Sequence, residues 1–465
     1  MESTGDSMMG FIRQWQTQWT AMSTDQRRRA AWAFAWFFCI LLAYFVIRPV
    51  RETMGIQGGT KQLPWLFLGT FTTMLIAVPI YSFVVARCQR KRLVPIVYRF
   101  FALNLLLFWL AMHVESAEVH VWVARCFFIW TSVFSLFNTS VFWSVLADLY
   151  DSRQAKRVFG MIAVGGTLGA IVGSLLTSLL STILGVQNLL WLPIVLLEVG
   201  VFCAGRMMKA EPPATEVSAA DESVQSGAST DSKSSDDEPA PGGGIFEGIT
   251  HVARSPYLAM ICLFLLLGQL TGTHFYLVQA ELVKEFIPER DAQTALFGKL
   301  NLFTQLLTLG LQAGVVGLVL RRMGVAAALV LLPVVCLLAL IGLGLFPSIA
   351  VLAISDVVRR GVVYGVTVPS REVLFTVVDR ADKYKSKSFI DTVVVRGGDA
   401  ISGQAFAFIR QWHLGLAAMN ALMIPVVIVW GILAIYLGRQ QTRRAAAGEC
   451  ESKAKADGVA SIENV

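Results

Sequence analysis

The chain has 465 residues, of which 55% are hydrophobic and only 15% charged, and its mean hydropathy is +0.61. No soluble protein of this size carries so apolar a surface in water, so the bilayer must be its solvent. The formal net charge of +7 sits largely in short loops, where it is a topological signal facing anionic lipid and gives no reason to invoke nucleic acid.

Within hydrocarbon every backbone donor and acceptor must be paired inside its own span, so apolar runs of roughly twenty residues are read as helices. Residues 1–29 form an expected cytoplasmic segment in which Phe11, Ile12, Trp15, Trp19 and Met22 recur at the spacing of an interfacial helix. Six spans follow, near Ala30–Val50, Leu63–Ala86, Leu93–His113, Val119–Leu149, Val158–Leu184 and Asn188–Met208. Residues 209–250 are rich in Ser, Asp, Gly and Pro and have too few large apolar groups to offset their ordering entropy, which predicts a disordered linker. Six more spans follow, near Tyr257–Val283, Ala292–Leu320, Val325–Phe346, Ser348–Val378, Phe389–Trp412 and Leu414–Leu437, with a tail over 438–465. The break at Phe346-Pro347 is the weakest of these boundaries.

Lys and Arg cluster after the second, fourth, eighth and tenth spans, and all of these loops share one side if the spans alternate. That bias places the basic side, both termini and the linker in the cytoplasm of an inner-membrane protein. The seven Cys show no paired or metal-ligand spacing, and no cofactor motif, nucleophile–base arrangement or phosphate-cradling loop is present, so neither a metal, a cofactor nor an enzyme is expected.

The halves echo one another. Ala155-Lys156-Arg157-Val158-Phe159 leads to Gly165-Gly166 after the fourth span, and Lys385-Ser386-Lys387-Ser388-Phe389 leads to Gly397-Gly398 after the tenth. A parallel repeat of two bundles, 30–208 and 251–437, is expected: an all-α membrane protein of about twelve helices, major-facilitator-type, working as a monomeric carrier around a midplane site.

Ionisable side chains inside spans are costly and therefore mark such sites. The first span ends in Arg48-Pro49-Val50-Arg51-Glu52, with Pro49 placed to break the helix. The tenth carries Asp356, Arg359 and Arg360, and the eleventh Asp391, Arg396 and Asp399. Guanidinium groups capture phosphate or carboxylate in two-pronged fashion, which points to an anionic solute. Arg48, Arg51, Arg359, Arg360 and Arg396 are the expected substrate contacts. The same spacings also fit ion pairs that only lock the bundles, Asp356 with Arg360 and Arg396 with Asp399, and Arg48 and Arg51 also fit an interfacial, headgroup-facing position. Gly165, Gly166, Gly169 and Gly173 fit close helix packing, and His274 is a candidate proton carrier.

Phe142-Trp143, then Asp148, then Ala155-Lys156-Arg157 with Phe159 resemble the segment after the fourth span of the ATP/ADP antiporter family, the nucleotide transporters of plastids and intracellular bacteria. Arg48 to Glu52 resembles its Arg-x-x-Lys-Asp element. Lys385-x-Lys387, Ile390-Asp391 and Gly398 resemble its Lys-x-Lys, Ile-Asp and Gly-Lys positions. The resemblance implies a divergent bacterial-type anion exchanger in which Arg51, Asp148 and Lys387 are functional. Asp148 stands one methylene short of the family's Glu, and Asp399 reverses the charge of its Lys, a departure that disfavours highly charged nucleotides unless Arg396 neutralises it.

The expected function is therefore alternating-access transport of a small anionic, nucleotide-like solute, with Glu52, Asp148, Lys156, His274, Asp356, Lys387, Asp391 and Asp399 in gating or coupling. Proton-coupled export of drugs, peptides or metabolites, and a non-transporting sensor or assembly partner, are the alternatives.

Overall fold

The computed structural model describes residues 22–150, 152–209, 255–378, 386 and 390–462, and all regular structure in them is helical. The expected interfacial helix before Met22 and the linker beyond Lys209 lie outside the described residues. In chain order the helices are α1 (Thr24–Gln57), α2 (Leu63–Arg87), α3 (Arg90–Ala111), α4 (Ala117–Leu149), α5 (Ser152–Leu189) and α6 (Trp191–Lys209), then α7 (Pro256–Phe286). Helix α8 runs Arg290–Gly310, through a π-helical turn Leu311–Val315, into Val316–Arg322, and α9 spans Gly324–Leu345. Helix α10 runs Ile349–Val362, a π turn Val363–Thr367 and Val368–Leu374; α11 is a π turn Ile390–Val394 followed by Val395–Arg410; α12 is Leu416–Ile462.

Ten of these are each long and apolar enough to cross a membrane. The other two, α10 and α11, are interrupted by π turns and carry Asp356, Arg359, Arg360 and Arg396. The weak boundary near Phe346 is real, because Ser348 caps α10 by accepting a hydrogen bond from Val351 N at 3.3 Å.

Pro49 does not end the first span. Helix α1 continues through it to Gln57, and the Thr53 hydroxyl bonds back to the Pro49 carbonyl at 3.3 Å. The consequence is positional: Arg48 and Arg51 sit within the helix, not at its rim.

Each half has its own core. In the first, Phe142 is fully buried, stacked on Phe37 at 4.3 Å and edge-on to Trp36 at 4.8 Å. The second half's core holds Tyr257, Phe264, Phe375 and Trp430, and Ile56, Leu63, Leu66 and Phe128 of the first half pack into it. The halves meet through α5 against α8 and α2 against α11, the fifth helix of each half against the second of the other. That reciprocity is what two parallel repeats produce when they face each other.

Small residues make the tight joints. A Cβ at Gly173 would lie 2.6 Å from the Leu42 carbonyl and 3.1 Å from Phe45 Cβ on α1, so this glycine stripe packs helices. The π turns of α8 and α10 face each other, and Gln312 Nε2 donates to the Tyr364 carbonyl at 3.1 Å, meeting a backbone group that the wider turn would leave open.

Replacing Gly173 by Val should cost on the order of 2 kcal/mol through forced separation of α1 and α5. Gly310→Ala, where nothing lies within 4 Å of the added carbon, should leave the detergent-solubilised protein's thermal midpoint unchanged.

Candidate functional site

One cavity of about 500 Å³ lies between the halves, and all five arginines singled out from the sequence line it. Their arrangement follows from helical spacing. On α1, Tyr44, Arg48, Arg51 and Glu52 recur at i, i+4, i+7 and i+8 and present one face. On α10, Asp356, Arg359, Arg360, Tyr364, Thr367 and Arg371 continue a single face over four turns. Arg396 and Asp399 come from α11, Gln269, Thr273 and Tyr276 from α7, Asn301 from α8 and Ser132 and Ser135 from α4.

The charges are unevenly matched. Arg51 reaches Glu52 at 3.1 Å, donates from Nε to the Phe128 carbonyl at 3.3 Å and lies 3.9 Å above the Phe128 ring. Arg359 and Arg360 share one carboxylate, Asp356, each at 3.0 Å, and Arg360 also bonds Asn301. Arg371 reaches Glu372 at 3.2 Å. Among the described residues Arg48 and Arg396, one from each half, have no carboxylate within 4 Å. Six guanidinium groups thus face the cavity with three carboxylates, Glu52, Asp356 and Asp399.

Two expectations are corrected here. Arg396 and Asp399 form no ion pair within 4 Å, although they share a helix face. Arg396 is exposed to the cavity and Asp399 accepts from Thr273 Oγ1 at 3.5 Å. Arg48 and Arg51 face the cavity between the halves together with the arginines of the second half, and so are not turned outward to lipid headgroups. His274 stands apart: it is 4% exposed, hydrogen-bonded to Asn420 at 2.9 Å and beside Phe406, away from the arginines. Asp148 lies at the end of α4. Lys387 and the side chains of Lys156 and Asp391 lie outside the described residues.

Sequence reasoning missed Tyr44, Tyr276, Tyr364 and Arg371. The signal was there for three of them: Tyr44 precedes Arg48 by four, Tyr364 follows Arg360 by four, and Arg371 falls on the same face two turns later. Tyr276 carried no such signal, since only the meeting of the halves brings it against Phe67, with ring centroids 5.3 Å apart.

Among the described residues, three hydrogen bonds join the halves beyond the cavity, at the end opposite the basic loops. Thr53 and Thr294 hydroxyls meet at 2.7 Å, Gln404 Nε2 donates to the Pro64 carbonyl at 3.1 Å, and Val186 N donates to Asp291 Oδ1 at 2.9 Å. Gly185, at φ 77°, breaks α5 and frees that donor, a conformation that suits glycine. Gly298 packs so closely on α5 that a Cβ would lie 2.8 Å from Ser178 N.

With twelve helices among the described residues, in two reciprocal bundles around a charged cavity, the comparison with known proteins is decisive: the model of the Major Facilitator Superfamily matches residues 33–383. The chain belongs to the major facilitator superfamily. It is accordingly a multi-pass membrane transporter and not an enzyme. No curated protein sequence matches it significantly. Among solved structures of the superfamily's fold, the nucleoside transporter NupG is 14% identical with a TM-score of 0.52, covering 91% of this chain and 99% of that one. A bacterial homologue of the human lysosomal transporter Spinster, inward-facing and unoccupied, is 13% identical at 0.54, covering 92% and 98%. A POT family transporter with a thioalcohol-conjugated peptide is 13% identical at 0.59, covering 89% and 96%. At such identities the likeness establishes the fold, and the cargo must be argued from the cavity.

Asp356→Ala should destabilise the protein by on the order of 3 kcal/mol, because it leaves Arg359 and Arg360, both only slightly exposed, without their shared counter-charge. A lowered thermal midpoint relative to Asp356→Glu checks this.

Proposed function

We propose that this superfamily member is a secondary transporter of a small anionic solute, working by alternating access in the inner membrane with the basic loops, termini and linker in the cytoplasm. The observation that carries the reading is the surplus of guanidinium groups over carboxylates in the shared cavity, with unmatched Arg48 and Arg396 on opposite halves.

An anion bound between them is attracted by both halves at once. Its contacts with Arg48 and Arg51 on one side and Arg359, Arg360 and Arg396 on the other are strongest when the bundles close on it. Only such differential binding can shift the balance between inward and outward states. Tyr44, Tyr276 and Tyr364 add flat faces and hydroxyl groups that suit a solute carrying a planar moiety beside its charge. The resemblance to the ATP/ADP antiporters favours nucleotide-like anions and exchange within this class, and Asp399 disfavours the most highly charged of them.

Asp399 supports a second reading. It is a cavity carboxylate with no cation within 4 Å among the described residues and only Thr273 as hydrogen-bond donor, a suitable place for a coupling proton. In that reading Asp399→Asn removes the pH dependence of uptake while leaving exchange intact.

Reconstituted in liposomes, Arg51→Ala and Arg360→Ala should each lower uptake of the solute at least tenfold, with Arg51→Lys intermediate. The solute itself is found by thermal shift of the purified protein against nucleoside phosphates, inorganic phosphate and carboxylates, since a ligand of the folded state raises its midpoint. Undiminished uptake by both alanine variants would defeat the anion assignment, and a protein that moves nothing while holding a co-purifying partner would favour the sensor alternative.

A further inference from the structure

Helices α3 and α6 pack side by side on the outside of the first half. Arg99 of α3 donates from Nε to Glu198 Oε1 and Oε2 of α6 at 3.3 and 3.4 Å, and from Nη2 to Oε2 at 3.4 Å. This pair is not buried: its side chains are 63% and 47% exposed. Nor is it near a membrane surface. Arg99 is nine residues from Arg90 and twelve from Ala111, and Glu198 is seven from Trp191 and eleven from Lys209, so both lie about 10–18 Å from either end of their helices. The residues around the pair, Ile96, Phe100, Leu103, Val195, Val199 and Phe202, are all large, apolar and more than 40% exposed. The face is thus one that lipid tails would cover, with an ion pair at its centre.

Hydrocarbon is a poor surround for ionic groups even when they are paired, because their remaining hydrogen-bonding capacity finds no partner. The second half provides the comparison. Its counterpart helices α9 and α12 expose Val334, Leu338, Ile341, Ile428 and Ile432 at the matching positions and carry no charged residue between Gly324 and Leu345 or between Leu416 and Leu437. One outer face meets the demands of lipid and the other does not.

We propose that the α3–α6 face is a homodimer interface, and that its occupant is the same face of a second copy of this chain. The charge pattern selects that partner. A patch that carries one cation and one anion side by side is complementary to itself under a two-fold axis, where Arg99 of each copy can meet Glu198 of the other and all four groups close into one ring. The apolar residues around them then form the rim. The expected monomeric carrier becomes a pair in which each copy keeps its own cavity.

The test uses the full chain in liposomes. Subunits are counted by single-molecule photobleaching over a dilution series, and a photo-crosslinking residue is placed at Leu103 or, as control, at Leu338. The expected result is two subunits per particle, with crosslinked dimer from Leu103 and none from Leu338. Arg99→Glu and Glu198→Arg should each weaken association at least tenfold by setting like charges against each other, and the double exchange should restore it. Leu103→Trp, which leaves the ion pair intact, should weaken it likewise and covers the case in which a charge reversal fails to fold. Single subunits at every dilution, or association unaffected by both single reversals, would overturn the proposal, including the case where a different membrane protein covers this face.

Discussion

A guanidinium placed in a bilayer needs water or a carboxylate beside it, and α1, α10 and α11 carry six that point into one space. Much of the architecture serves that requirement. The halves stand apart along the cavity so that the charges have somewhere polar to face, while α5 with α8 and α2 with α11 close the molecule beyond it. Two of the three helices that carry these charges, α10 and α11, depart from regular geometry through π turns, and α8, packed against α10, has a third. Such turns re-aim side chains that a regular helix would direct elsewhere.

The number and order of helices could be read from apolar run length, because a span has no choice but to satisfy its backbone internally. The ends of α1 and the interior of α10 could not. Pro49 looked like a terminus because proline removes a donor, yet neighbouring helices hold α1 together and Thr53 returns a hydrogen bond to the proline carbonyl. The π turn at Val363–Thr367 has no local signature; it is matched to the π turn in α8 through Gln312, a contact between residues 52 positions apart.

The site divides along the same line. Charged residues in apolar runs announce themselves, so Arg48, Arg51, Arg359, Arg360 and Arg396 were identifiable one at a time. Their partners were not. The spacing of Arg396 and Asp399 suits a pair, but α11 presents one to open space and the other to Thr273 of α7. The aromatic surround came from α4 and α7, whose Phe128 and Tyr276 look like ordinary span residues until the halves are assembled. Local sequence specifies which groups a helix carries; the packing of distant helices decides which of them meet.

The polar part of the joint beyond the cavity includes two threonine hydroxyls, two amide donors and a glycine pressed on a serine. Each of these hydrogen bonds is worth about 1 kcal/mol net, since water can replace whatever is lost when it breaks. Apolar groups share the seam: Phe67 lies against Tyr276, Phe71 beside Gly397, and Leu63 and Leu66 join the core of the second half, so parting the bundles also exposes oily surface. Opening then costs the burial of those rings as well as the hydrogen bonds, and the bound solute and the seam together set how readily the bundles part.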